Sequence, residues 1–201
     1  MAALLQNFRN TIIVSVLLAL IMVGGYYVHN PGGPEAFWQG VFRWMHVFFG
    51  ILWIGLLYYF NFVQIRVMPQ IPNELKPAVS KYIAPEALFW FRWAALATWV
   101  MGVILAIDRG YLVQAITLGL TEKPIVLQHT FIGVGMWLAT IMFLNVWVFI
   151  WPNQKIALGL VEADADAKAK AGRLAMLFSR TNTLLSIPML VTMTMNQTVF
   201  G

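Results

Sequence analysis

Three histidines occur among the 201 residues, and two of them, His46 and His129, lie inside strongly apolar stretches. An ionisable side chain within a membrane span is costly, which makes it a functional candidate by default. Each is followed four residues later by glycine, in His46-Val-Phe-Phe-Gly50 and His129-Thr-Phe-Ile-Gly133. Positions i and i+4 share a helix face. A planar macrocycle bound to either imidazole would therefore meet no side chain one turn away. Imidazole is an axial ligand of haem iron. With no Cys in the chain, covalent haem and thiolate metal sites are both excluded. The expected chemistry is a non-covalent haem b held by His46 and His129, with Gly50 and Gly133 as clearance positions. Arg43, one turn before His46, is placed to pair a haem propionate, or else to snorkel to the headgroups.

Blander uses of the same residues stand beside this one. A membrane histidine also serves as a helix–helix hydrogen-bonding residue, and glycine is common at packed helix surfaces. Copper or zinc would want a third or fourth ligand, and the remaining histidine, His29, falls at the end of the first apolar stretch. Met189, Met193 and Met195 read as gap-fillers, and Asn61, Asn145, Asn182 and Asn196 as interhelical hydrogen-bonders. Arg92 reads as a snorkelling anchor, and the tryptophans as an aromatic belt.

The elements that must position these residues follow from composition. Hydrophobic residues make up 60% of the chain and charged ones 10%, against about 45–50% and about 25% in soluble domains. A soluble enzyme, a disordered chain and a nucleic-acid-binding protein are excluded. The pattern predicts an all-α, polytopic membrane helix bundle forming a single membrane domain over residues 1–201. Five stretches can cross a hydrocarbon core, near Thr11–Val28, Trp38–Ile65, Ala87–Ile107, Pro124–Trp151 and Thr183–Val199. The first carries no small-residue cleavage pattern and reads as a mature helix rather than a signal peptide. On these spans His46 lies about eight residues deep and His129 about five, at similar depth.

Lys and Arg in the short loops set the orientation. With the N-terminus inside, that side holds Arg9, Arg66, Lys76, Lys81, Lys155, Lys168, Lys170, Arg173 and Arg180, and the other holds Arg109 and Lys123. The expected topology is N-in, C-out. Residues 67–86, with four prolines, are expected to be irregular or only briefly helical. Residues 155–179, rich in alanine and lysine, predict a helical extension. Tyr111–Leu120 predicts a short interfacial helix. Spans two and four align without a gap, matching His46 to His129, Gly50 to Gly133, Phe60 to Phe143 and Pro69 to Pro152. That register implies a parallel internal repeat of spans two–three and four–five.

The stretch from His46 through Tyr58, Phe60 and Phe62 to Arg66 and Pro69 resembles the membrane-integral domain of bacterial urate hydroxylases, the membrane-type urate oxidases. So do Trp137, Asn145, Trp147 and Pro152-Asn153-Gln154, and the final run from Ser179-Arg180 through Asn182, Ser186, Pro188 and Met193 to Asn196. Gln197 departs from the family pattern, where another histidine is expected. The resemblance implies a redox protein of the bacterial inner membrane whose C-terminal side faces a cytochrome. Family members carry a C-terminal cytochrome c domain, so in this Cys-free chain the cytochrome is expected on a separate partner or within a larger complex. A urate-hydroxylase-like oxidoreductase activity is implied in the same way. Two further readings stay open: a cofactor-free accessory subunit of a membrane complex, and a copper or small-solute transporter, for which few midplane polar groups are available.

Overall fold

The computed structural model describes residues 2–200, and the described residues form helices and turns without a strand. In chain order the helices are α1 (Ala2–Gln6), α2 (Phe8–Val28), α3 (Gly33–Gln70), α4 (Lys76–Asp108), α5 (Leu112–Ile116), α6 (Leu127–Ala157) and α7 (Ala165–Phe200). Five of them, α2, α3, α4, α6 and α7, are long and apolar enough to cross a membrane. The protein is an all-α, multi-pass membrane protein.

The chain divides into two compact units, Met1–Trp44 and Met45–Gly201. The first holds α1, α2 and the opening of α3. The Asn7 side chain caps α2 by accepting from the Asn10 amide at 3.2 Å, satisfying one of the donors a helix start leaves free. No residue of α2 is buried. An apolar helix with no buried face belongs in lipid. The turn into α3 is tied by Asn30, which accepts from the Gly32 amide and donates to the Gly33 carbonyl.

The second unit is built around aromatic and small residues. Trp53, Leu57 and Phe60 of α3 meet Phe91, Ala94 and Ala95 of α4, Met142, Val146 and Ile150 of α6, and Met189 of α7 in one buried cluster. Phe60 and Phe91 pack edge to face at 5.6 Å, and Trp99 stacks on Phe143 at 5.2 Å. Along α7 the buried residues Ala171, Ala175, Ser179, Asn182, Ser186 and Met189 recur every three or four positions, one helix face. Their small volume lets α6 approach closely, as membrane helices require when no hydrophobic force draws them together. Polar bonds cross the same seam: Asn145 donates to Asn182 Oδ1 at 2.8 Å, and Asn182 donates to the Met142 carbonyl at 2.9 Å. Asn61 reaches Ser179 Oγ at 2.8 Å, and Tyr58 lies 3.1 Å from Ser186 Oγ.

The stretch expected to be irregular over 67–86 is largely helical. α3 runs on to Gln70 and α4 starts at Lys76. Pro69 and Pro77 stand in the first turn of short helical segments, where the missing amide costs nothing. A π-helical run, Val79–Ile83, carries the chain to Pro85. Tyr111–Leu120 does contain the expected short helix, α5, and its Ala115 is buried. The extension expected over 155–179 is present as the first turns of α7. Both α3 and α6 contain a π-helical stretch, Tyr59–Gln64 and Asn145–Ile150. In the register that aligns His46 with His129 these fall within a turn of each other.

Candidate functional site

His46 lies well inside α3, in the second unit, and is half-buried. Its Nδ1 is 2.8 Å from the Thr98 carbonyl of α4. A carbonyl only accepts, so Nδ1 carries the proton and Nε2 keeps its lone pair. Thr98 is in turn held to its own helix by a 2.7 Å bond from Oγ1 to the Ala94 carbonyl. The ring packs over Gly102, one turn on from Thr98. A Cβ there would come within 2.8 Å of Cε1 and 2.9 Å of Nδ1. Glycine at 102 is what admits the imidazole between the two helices.

His129 stands in the first turn of α6. Its Nδ1 lies 2.8 and 2.9 Å from the two carboxylate oxygens of Glu122, and Tyr111 stacks on its ring at 6.2 Å and 20°. The imidazole and carboxylate retain 23% and 21% exposure. Here too Nδ1 is the nitrogen engaged, on a carboxylate that accepts.

These two environments are alike in chemistry and separate in position. Along α4, His46 lies against Thr98 and Gly102, whereas Tyr111, the partner of His129, lies beyond the helix end at Asp108. Gly102 lies six residues before that helix end, about 9 Å along the axis.

The two flanking glycines also differ. A Cβ at Gly50 would meet Thr98 Cγ2 at 3.7 Å, an ordinary contact. At Gly133 it would run into the backbone carbonyl of Ala115, with Leu118 Cδ2 at 3.0 Å. Gly133 therefore serves the close approach of α5 to α6, which Thr130 Oγ1 and Trp137 Nε1 reinforce by bonds to the Leu118 and Ile116 carbonyls at 2.8 and 3.0 Å. Arg43 lies on the part of α3 that belongs to the first unit and is half-buried.

Among the described residues no three His, Asp or Glu side chains gather into a metal-holding cluster. A cavity of about 210 Å³ lies between Phe60, Met68, Ile150, Gln154, Ala175 and Met176. It is about 20 Å along α3 from His46, and neither histidine lines it.

Sequence reasoning found the imidazoles and missed what orients them: the Thr98 carbonyl, Gly102, Glu122 and Tyr111. Glu122 had a signal, a lone acid close before a span histidine. The carbonyl had none, because every residue carries one.

A family model described as urate oxidase N-terminal matches residues 112–200. The match takes in α5, α6 and α7, including His129, and covers somewhat under half of the chain. His46 and its span lie outside it. No curated protein matches the chain, and no solved structure does.

Proposed function

We propose, from the premise that the chain belongs over residues 112–200 to the urate oxidase N-terminal family, that it is a membrane-embedded electron-transfer protein or subunit carrying haem b. One observation supports this most. Both imidazoles are held through Nδ1, the way a protein sets the tautomer of a histidine that ligates through Nε2.

The donor chemistry fits haem iron at each histidine, and of the two His46 stands well inside its helix, whereas His129 is in a first turn. The reading therefore rests first on His46, which lies within the span, has its ring fixed, and sits in a glycine-floored slot. His129 is the second axial candidate. Bound haem supplies one-electron chemistry; the protein's part is to fix ligand orientation and keep the site in a low-dielectric surround. Gly50 is retained as a clearance position. In this reading the protein sits in the bacterial inner membrane, N-terminus inside, and passes electrons to or from a separate cytochrome c or another subunit of a membrane redox complex.

The test is a dithionite-reduced minus oxidised spectrum with pyridine haemochrome quantification, on wild type, His46→Ala and His129→Ala. About one b-type haem per chain, lost in His46→Ala, supports the reading. Conversion from low spin to high spin in His129→Ala identifies that residue as the second ligand. A spectrum unchanged in His129→Ala assigns the second position elsewhere. A folded, colourless wild type prepared with haem available overturns the haem reading. It leaves the cofactor-free accessory subunit.

A further inference from the structure

Arg92 of α4 lies over two aromatic rings: its Cζ is 3.9 Å from the centroid of the Trp151 ring and 5.3 Å from that of Phe89. Lys155, one turn beyond Trp151 on α6, places Nζ 5.8 Å from the centroid of the same ring. Two cations from two helices thus share one indole. Neither has a carboxylate within salt-bridge distance. Among the described residues the ion pair present is His129 with Glu122, and the nearest acid in sequence to Arg92, Glu86, accepts from the Trp90 indole at 2.9 Å.

Both cations are half-buried, not fully exposed. A guanidinium stacked on a ring keeps its face covered and its edge free, and that edge offers paired N–H donors matched to a phosphate. The depth is right for a headgroup. Trp151 is 22 residues along α6 from His129, about 33 Å at helical rise, close to the roughly 30 Å thickness of a hydrocarbon core. If His129 and Glu122 mark one interface, Arg92, Trp151 and Lys155 mark the other.

We infer that Arg92, Lys155 and Trp151 form a binding site for the phosphate of an anionic phospholipid, with the acyl chains lying against the exposed apolar side chains of α4 and α6, among them Phe89, Trp93 and Val148. Two unneutralised cations favour a lipid of net negative charge over a zwitterionic one, and basic pockets between spanning helices are a recognised way to hold such headgroups.

Native mass spectrometry of the full chain in detergent, titrated with phosphatidylglycerol or phosphatidylcholine, tests this. The expected result is retention of phosphatidylglycerol at concentrations where phosphatidylcholine is lost. Arg92→Gln and Lys155→Gln should each weaken that binding roughly fivefold, the effect of about 1 kcal/mol per cation near a membrane surface. Equal retention of the two lipids by wild type overturns the proposal. So does unchanged phosphatidylglycerol binding in a folded Arg92→Gln protein. Should Arg92→Gln fail to fold, Lys155→Gln alone decides, since Lys155 stands in the last turn of α6. Inorganic phosphate is the control: if it displaces phosphatidylglycerol, the site takes a free anion and the lipid assignment falls.

Discussion

An added methyl group would land 2.8 Å from the His46 ring at Gly102, meet a backbone carbonyl at Gly133, and find ordinary contact at Gly50. Three glycines near two histidines therefore carry different predictions. Gly50→Ala should leave stability within about 0.5 kcal/mol, as tolerated substitutions do. Gly102→Ala should cost about 1–3 kcal/mol through overpacking and displace the imidazole from Thr98. Gly133→Ala should cost at least as much, because a carbonyl cannot rotate aside as a side chain can. Thermal unfolding in detergent ranks the three. Haem content, measured in parallel, should fall in Gly102→Ala and hold in Gly50→Ala. A destabilised Gly50→Ala with a normal Gly102→Ala would reverse the assignment of which glycine makes room for His46.

At the scale of the elements, α7 is held by polar bonds that hydrophobicity alone does not announce. Asn182 is fully buried and serves Asn145 and the Met142 carbonyl at once. Asn182→Leu removes both bonds and leaves the Asn145 amide without its acceptor. The expected loss is about 1–3 kcal/mol, measured by reversible unfolding in mixed micelles; replacing Asn145 by Leu as well should recover part of it, since removing both partners spares the stranded group. A fully additive double variant would show that the two residues act separately. The sequence made the spans legible because about twenty apolar residues can do little else in lipid. Helix ends were less legible: Pro77 and Pro85 read as breakers, yet Pro77 sits in a first helical turn and a π-helical run carries the chain from there to Pro85. The site was legible in part for the same kind of reason. His46 and His129 announce themselves by being ionisable within apolar stretches, but the Thr98 carbonyl that orients His46 is a backbone group that no residue type encodes.

For the whole molecule, the basic residues make a topological prediction that the absence of Cys renders simple to test. A single cysteine placed at Lys76 should react with a membrane-impermeant maleimide only after the cells are opened, and one placed at Lys123 should react in intact cells whose outer membrane has been made permeable. The opposite pattern would invert the N-in reading and, with it, the compartment assigned to the electron partner.

The polar stripe of α7 bears on how the protein is made. Ser179, Asn182 and Ser186 are hidden against α6 and α3, and α7 is the least apolar of the five long helices. A segment of this kind gains little by entering lipid alone. The short turn between Ala157 and Ala165 lets it arrive while its partner is still beside the insertion channel, as one hairpin with its amides already engaged. Lengthening that turn should leave the finished packing intact while lowering the fraction of chains whose last helix is inserted at all, a defect of biogenesis separable from stability by comparing membrane yield with the unfolding of what was correctly assembled.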